Sequence, residues 1–217
     1  MKVRLTIDRL KTAAAEFARV ESDRSEPSMY GVTDGKAVGT YLEHRFRVYL
    51  EERFTLELGN SAKGIDLPGL NVDMKTTSIR QPQSSCPFRS AEQKIYGLGY
   101  ALLVFVYDKT DDHALKTARL EIMHVIYVDA ERTGDYQTTR GINAILDNGG
   151  NDDDLIAFMH DRYLPVDDVQ AAKIAKSIMV KRPPIGYLTI SNALQWRLQY
   201  KRVIDQAGAV EGVYRLR

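Results

Sequence analysis

Apolar side chains recur every three or four residues in two early segments of the chain, which is the spacing of an amphipathic helix. The first segment covers residues 5–20, and the second covers residues 36–54. The stretch between them, residues 21–35, is polar and contains one proline and two glycines. The pattern therefore predicts two amphipathic helices joined by a polar loop.

The middle of the chain shows the patterns of β-strands. Residues 100–107 are nearly all apolar, as expected of a strand that is covered on both faces, and residues 120–128 are rich in β-branched side chains. Shorter strands are predicted over residues 55–58 and 70–77, and a helix over residues 89–98. This order of elements predicts an α/β fold in which a mixed β-sheet is flanked by helices.

Beyond Gly149 and Gly150 the pattern is again helical. Helices are predicted over residues 154–163, 166–180 and 189–204, and a short strand over residues 210–216. A turn with two prolines joins the second and third of these helices. The last helix could enter a groove of DNA, or it could be an ordinary surface helix. The pattern thus predicts a mainly helical extension over residues 150–217.

Composition narrows the class of protein. The chain of 217 residues is long enough for one domain with a sizeable core, and 44% hydrophobic and 27% charged residues are typical of a globular protein. No apolar run approaches the roughly 18–20 residues that a membrane span needs, and the N-terminal residues lack the apolar stretch of a secretory signal. One cysteine, Cys86, fits a reducing compartment. We therefore expect a single-domain cytoplasmic protein that does not enter a membrane.

Charge is unevenly distributed although the formal net charge is only +1. Residues 147–168 contain seven acids and one arginine, whereas residues 169–204 contain seven basic residues and no acid. The basic residues are Lys173, Lys176, Lys181, Arg182, Arg197, Lys201 and Arg202. A segregated basic segment suits contacts with phosphates, although a solvated surface is the commoner explanation of such blocks.

The candidate chemistry lies at residues 65–76. Six residues separate Asp66 from the triplet Asp73-Met74-Lys75. In a strand Asp73 and Lys75 point to one face and Met74 to the other, and a Leu-Pro-Gly turn could fold Asp66 back beside Asp73. Two carboxylates and an ammonium would then converge, as is needed to hold a hard divalent cation and to stabilise a phosphorane-like transition state. The alternative is a surface hairpin with solvated charges.

These residues resemble the PD-(D/E)xK nuclease superfamily, to which many type II restriction endonucleases belong, and within it the MutH-type nucleases. The resemblance rests on the helix segment Gly39-Thr40-Tyr41-Leu42-Glu43 and on Asp66 followed by Leu67-Pro68-Gly69-Leu70-Asn71-Val72-Asp73-Met74-Lys75-Thr76. The chain departs from the pattern where Ile65 replaces the frequent proline and where Asp73 replaces the commoner glutamate. The resemblance covers residues 36–107, and it implies a restriction-endonuclease-like core over residues 36–130.

The resemblance also implies roles for the motif residues. Asp66 and Asp73 would bind Mg²⁺ together with the backbone carbonyl of Met74. Lys75 would hold or help to deprotonate the attacking water and offset the charge that builds on the phosphate. Glu43 would orient a metal-bound water or join a second metal site, although it could also be a plain exposed acid. The expected catalytic residues are therefore Asp66, Asp73, Lys75 and Glu43.

The loop after the motif strand, residues 77–89, is expected to lie close to the substrate. It contains side chains that hydrogen-bond bases or phosphates, but it could equally be a solvated turn. Together with the basic C-terminal part and the start of the helix at residues 89–98, it gives a set of expected DNA contacts. These are Arg80, Gln81, Gln83, Ser84, Arg89, Lys94, Arg197 and Lys201.

The expected function is that of a Mg²⁺-dependent, sequence-specific endonuclease that cleaves double-stranded DNA, as type II restriction enzymes do. Such an enzyme would be a homodimer, because a palindromic site calls for a two-fold protein. One alternative is a repair-type nickase of the same superfamily, and another is a non-catalytic DNA-binding or regulatory protein that uses the helices of residues 166–204. An enzyme acting on small phosphates is disfavoured because the chain has no Walker-type glycine loop.

Overall fold

A computed structural model describes residues 2–56, 64–191 and 197–217 of the chain. The chain forms two compact units, each built from separate segments. The first unit contains the residues up to Ser84 together with Ala101–Val128 and Gln206–Arg217. The second contains Ser85–Tyr100 and Asp129–Asp205. The core predicted over residues 36–130 therefore contributes to both units.

The elements follow one another along the chain in this order: β1 (Val3–Arg4), α1 (Ile7–Ser22), β2 (Ser25–Glu26), α2 (Gly35–Arg53), β3 (Phe54–Thr55), β4 (Val72–Ser78), β5 (Gln83–Ser85), α3 (Ala91–Tyr96), β6 (Ala101–Asp112), β7 (Thr117–Val128), α4 (Tyr136–Asp147), α5 (Asp152–Asp161), α6 (Asp168–Val180), β8 (Thr189–Ile190), β9 (Arg197–Gln199), α7 (Lys201–Gln206) and β10 (Val213–Arg215). Short 3₁₀ turns occur at Pro27–Met29, Pro68–Leu70 and Ala130–Arg132. None of the helices among the described residues is both long and apolar enough to cross a membrane.

The first unit is organised by a mixed sheet with the strand order β10-β7-β6-β4, and β2 also pairs with β7. Strands β6 and β7 form a long antiparallel hairpin, whereas β4 runs parallel to β6. The predicted mixed sheet is thus confirmed. Among the described residues no strand lies beyond β4, so one edge of β4 is open. This open edge is where the candidate site forms.

Helices α1 and α2 pack against one face of this sheet, as the amphipathic patterns predicted. Helix α1 begins after Thr6, whose side chain accepts a hydrogen bond from the backbone of Arg9. The packing centres on three aromatic rings, Phe17 of α1, Phe46 of α2 and Phe105 of β6, with centroids 5.0–5.9 Å apart. The two pairs that include Phe105 pack edge to face, an arrangement that stabilises a core beyond simple burial. It fixes α2 above the sheet beside β4.

The second unit contains α3 to α6 around its own apolar core, which includes Ile95, Ile142, Met159 and Ile174. Helices α5 and α6 confirm the helices predicted over residues 154–163 and 166–180. Helix α4 was not predicted. Its buried face consists largely of polar residues, namely Thr138, Thr139 and Asn143 beside Ile142. A hydrophobic pattern cannot show such a face, because these hydroxyl and amide groups are buried with hydrogen-bond partners instead.

The helix predicted over residues 189–204 is wrong. Strands β8 and β9 pair antiparallel in this region, and a helix begins only with α7; residues 192–196 lie outside the described ranges. Leu198 and Tyr200 are fully buried, whereas Arg197 is exposed. This alternation has the period of a strand and not of a helix. The interpretation of the segment as a groove-binding helix is lost with it.

Other boundaries differ by smaller amounts. Strand β6 continues to Asp112, beyond the predicted end at residue 107, because it forms the hairpin with β7. Strand β10 is shorter than the predicted strand over residues 210–216. The strand predicted over residues 55–58 overlaps β3 at its first residue, and its positions 57 and 58 lie outside the described residues.

Candidate active site

The apolar and the charged residues of β4 lie on opposite faces of the strand, as the strand pattern predicted. Val72 and Met74 are fully buried in the core formed with α1 and α2. Asp73 and Lys75 alternate with them and therefore project from the opposite face. The Lys75 Nζ atom lies 2.6 Å from Asp73 Oδ2, and the side chains are 25% and 4% exposed, respectively. The pair is thus an ion pair that is largely shielded from water.

A tight turn returns Asp66 to the same place. The 3₁₀ turn Pro68–Leu70 ends at Asn71, which adopts the left-handed conformation with φ 56°. Leu67 and Val72 then exchange two backbone hydrogen bonds of 3.0 and 3.2 Å across the turn. As a result, Asp66 Oδ2 accepts a 2.9 Å hydrogen bond from the backbone N–H of Met74. The first acid therefore lies at the open edge of β4, as the turn predicted.

The hydrogen bond from Met74 also shows where its carbonyl group points. In a strand, the N–H and C=O of one residue point to the same side, and those of the next residue point to the other. Because the Met74 N–H is directed at Asp66, its carbonyl oxygen faces the same open edge. The three oxygen donors expected to bind a metal, those of Asp66, Asp73 and Met74, are thus grouped at this edge.

Helix α2 adds two side chains to the group. It passes close over β4, since a Cβ placed on Gly39 would lie 3.8 Å from Thr76 Cβ. Glu43 and Arg47, which are one helical turn apart, therefore reach the edge of β4. The Arg47 Nη2 atom is 3.3 Å from Asp66 Oδ1. Glu43 is partly buried and interacts electrostatically with Asp66, which argues against its being a plain exposed acid.

Burial and the neighbouring carboxyl groups oppose the ionisation of Glu43 and Asp73. Burial, followed by the charge of Asp66, raises the pKa of Glu43 to about 7. Burial, followed by the hydrogen-bonding contact with Asp66, raises the pKa of Asp73 to about 6. The Lys75 ammonium lowers the pKa of Asp73, but burial and Asp66 together outweigh it. A cation bound beside them would favour the ionised forms of Glu43 and Asp73.

The donor set fits a hard divalent cation. Within the described ranges, no group of three or more His, Cys, Asp or Glu side chains is arranged to hold a metal ion. The ligands that the sequence predicts are instead two carboxylates and one backbone carbonyl. Mg²⁺ prefers oxygen ligands and keeps several waters, so it needs only a few protein ligands of this type. Asp66 and Asp73 supply carboxylate oxygens of this type, and Met74 supplies a backbone carbonyl oxygen.

Four of the expected DNA contacts follow β4 directly. Arg80 is exposed, and its Nε atom lies 2.9 Å from Asp108 Oδ1. Gln81 is also exposed, whereas Gln83 and Ser84 are half-buried. The buried hydroxyl of Thr77 lies 3.3 and 3.2 Å from the backbone carbonyl oxygens of Gln81 and Gln83. The segment is therefore tied to the strand that carries Asp73 and Lys75.

The remaining expected contacts are spread over the second unit. Arg89 and Arg197 are exposed, and Lys201 is exposed with its Nζ atom 2.9 Å from Asp205 Oδ2. Lys94, in contrast, is only 1% exposed, and burial lowers its pKa. The Lys94 side chain is therefore not exposed at the surface, as the expected contact with DNA would require. A burial this complete depends on tertiary packing, which the local pattern does not show.

Sequence reasoning missed one residue of the cluster, Arg47. It lies four positions after Glu43 in a helix, so both side chains lie on the same face. That spacing could have indicated that Arg47 lies beside Glu43, but whether both reach the site depends on how α2 packs against β4.

Comparisons with known proteins support one family. The family model described as Type II restriction enzyme NspV matches residues 4–215, a range that includes every residue of the cluster. A protein of Nostoc sp. named Type II restriction enzyme NspV is 63% identical over 209 residues, which is 96% of this chain and 95% of that protein. No solved structure matches the chain significantly. The chain therefore belongs to the NspV family of type II restriction enzymes.

Proposed function

We propose that Asp66, Asp73 and Lys75 form the centre at which this type II restriction endonuclease hydrolyses phosphodiester bonds of double-stranded DNA, with Mg²⁺ as its cofactor. The observation that carries the proposal is the convergence of these groups at the open edge of β4. Lys75 Nζ lies 2.6 Å from Asp73, and Asp66 is anchored on the backbone of the residue between them. We further propose that the first unit is a PD-(D/E)xK nuclease core.

In this proposal Asp66, Asp73 and the Met74 carbonyl would hold the ion. A bound Mg²⁺ supplies a Lewis acid for the phosphate and lowers the pKa of a coordinated water. The chain itself supplies rigidity, because Asp66 is held by a backbone N–H and Asp73 by Lys75. Ligands that are fixed before the substrate arrives need little reorganisation during the reaction.

Lys75 would stabilise negative charge on the phosphate, and Glu43 would accept a proton. The Lys75 ammonium is 25% exposed and can reach a phosphate oxygen or the attacking water while Asp73 aligns it. Its charge would offset the negative charge that builds on the phosphate. Glu43, with a pKa of about 7, can accept a proton from water near neutral pH.

DNA would be bound by two sets of side chains. Arg80, Gln81, Gln83 and Ser84 follow β4 and are of types that contact bases and phosphates. Arg89, Arg197 and Lys201 would add phosphate contacts from the second unit. We expect a cytoplasmic homodimer, because cleavage of both strands of a palindrome calls for two-fold symmetry.

The function is tested by incubating the purified protein with phage DNA in the presence of Mg²⁺, EDTA, or EDTA followed by excess Mg²⁺. The proposal requires discrete fragments with Mg²⁺, none with EDTA, and recovery when Mg²⁺ is restored. Binding without cleavage in every divalent cation would instead indicate a regulatory protein. Size-exclusion chromatography with light scattering tests the dimer separately.

Replacing Arg197 and Lys201 together by glutamine is expected to weaken DNA binding while single-turnover cleavage at saturating protein stays nearly unchanged. Each lost phosphate contact should lower the salt dependence of binding by about one unit of slope. The double variant Lys173→Gln and Lys176→Gln changes two exposed positions of α6. It tests whether the loss of any two basic residues weakens DNA binding equally. Unchanged DNA affinity with a lower melting temperature would assign the pair to internal charge balance.

Cation binding should strengthen as pH rises from about 5.5 to 7.5. The pKa values of Asp73 and Glu43 are raised to about 6 and about 7, so protons compete with the ion below these values. The metal-free protein should lose stability as pH rises from about 4 to about 7, because over this range the unfolded chain has released protons that Asp73 and Glu43 still hold in the folded state. Titration of Mn²⁺ at several pH values should show affinity increasing by about tenfold or more. A Mn²⁺ affinity that does not change with pH would contradict the placement of Asp73 and Glu43 at the metal site.

A further inference from the structure

Each carboxylate that is proposed to bind the metal is already paired with a cation of the chain. Lys75 lies 2.6 Å from Asp73, and Arg47 lies 3.3 Å from Asp66 Oδ1. The pairing of Asp73 with Lys75 belongs to the motif itself. The pairing of Asp66 with Arg47 does not, because Arg47 comes from α2.

Asp66 has a second anchor besides Arg47. The other carboxylate oxygen, Oδ2, accepts a 2.9 Å hydrogen bond from the Met74 backbone. Arg47 itself is incompletely satisfied, because its Nε atom is buried and has no hydrogen-bond partner among the described residues. Arg45 on the same helix differs, since two of its nitrogens bond the buried Glu21 at 3.1 and 3.4 Å. Arg45 is thus a structural anchor, whereas Arg47 is positioned for a change of partner.

A divalent ion and the Arg47 guanidinium compete for Asp66. Two cations in contact with one carboxylate oxygen would repel each other strongly in a partly buried site. Binding of an ion by the Asp66 carboxylate would therefore favour release of Arg47. The freed guanidinium would lie beside the ion, where the substrate phosphate must approach. Its planar set of donors matches phosphate oxygens.

We infer that Arg47 is a built-in counter-cation, which occupies Asp66 before the divalent ion binds and then transfers to a phosphate of the DNA. The inference rests on the proposed function, since it assumes that Asp66 is a metal ligand. It assigns Arg47 two separable effects: weaker metal binding in the absence of DNA, and stronger DNA binding in the presence of metal.

The first effect is tested by titrating Mn²⁺ into the protein without DNA, followed by electron paramagnetic resonance. Arg47→Met removes the charge and keeps the length, Arg47→Lys keeps the charge, and Arg53→Met removes a charge from the exposed end of the same helix. Arg47→Met is expected to bind Mn²⁺ at least about fivefold more tightly, while Arg47→Lys and Arg53→Met stay near wild type. Weaker Mn²⁺ binding by Arg47→Met would overturn the inference and make Arg47 a residue that positions Asp66. A Mn²⁺ affinity of Arg47→Met within twofold of wild type would also overturn the inference, since the ion pair of Arg47 with Asp66 would then have no effect on metal binding.

The second effect is tested by measuring the affinity for a DNA duplex with Ca²⁺ and with EDTA. Arg47→Met is expected to lose about tenfold in affinity with Ca²⁺, and Arg47→Lys to lose much less. An equal loss of DNA affinity in Arg47→Met and Arg53→Met would overturn the inference that Arg47 transfers to a phosphate. Thermal unfolding and the charge-keeping Arg47→Lys variant separate these effects from misfolding. If the wild-type protein bound no Mn²⁺ at all, the proposed function would fail together with this inference, whereas failure of the Arg47 effects alone would leave that function intact.

Discussion

Replacement of Asp66 or Asp73 by alanine is expected to lower the rate of DNA cleavage by about three orders of magnitude or more. Asp66 is held at the edge of β4 by the Met74 backbone, and Asp73 is aligned by Lys75 at 2.6 Å. Removing either carboxylate would take away one of the two side chains proposed to hold the ion. The reaction should therefore fail at the chemical step.

DNA binding by the same variants should be retained or strengthened. Without a bound ion the carboxylates repel the phosphate, and each substitution removes part of that repulsion. Single-turnover cleavage and equilibrium binding should be measured side by side. Asp73→Asn keeps the shape of the buried side chain, and Asp23→Ala, at a side chain that is 77% exposed in the same unit, serves as the matched control. Cleavage within tenfold of wild type by Asp66→Ala or Asp73→Ala would remove these acids from the mechanism.

Lys75→Ala is expected to lose several orders of magnitude in cleavage rate while the fold is preserved. The Lys75 side chain is 25% exposed and projects away from the core face of β4, so its loss should create no core cavity. Charge stabilisation aimed at the reacting group is among the largest contributions to catalysis. Lys75→Arg should restore the rate only in part, because the planar guanidinium fills a different space from the compact ammonium.

The Lys75 variants should be compared by single-turnover kinetics at saturating protein, which separates the chemical step from binding. Lys109→Met provides the control, since Lys109 also forms an ion pair, with Asp111, on the same sheet. Near-normal turnover by Lys75→Ala would show that the Asp-x-Lys spacing is a coincidence. Loss of turnover by both lysine variants would point to a general effect of charge.

Much of the first unit could be predicted because its signals are local. Helices α1 and α2 have regular apolar faces, and β6 is buried on both sides, so tertiary contacts reinforce the pattern. The elements that were missed or wrongly predicted depend on partners that are distant in the sequence or on buried polar groups. Helix α4 buries polar side chains, and Ile190 pairs with Leu198 across a register that local spacing does not contain.

The candidate site divides in the same way. Asp66, Asp73 and Lys75 lie within one turn and one strand, so their convergence follows from strand alternation and the Leu-Pro-Gly turn. Arg47 could not be assigned, because its position depends on the packing of α2 over β4. The burial of Lys94 was not predicted, because it arises from tertiary packing. The proposed contacts with DNA remain predictions because neither the sequence nor the fold shows where a duplex lies.

The central claim, that a divalent ion binds at the open edge of β4, is tested most directly by iron-mediated cleavage of the polypeptide. Fe²⁺ replaces Mg²⁺ in the protein, ascorbate and peroxide generate radicals at the ion, and mass spectrometry locates the breaks in the chain. The account predicts breaks close to Asp66 and Asp73, suppressed by excess Mg²⁺ and lost in Asp66→Ala. Breaks confined to other segments, or unchanged in that variant, would contradict it.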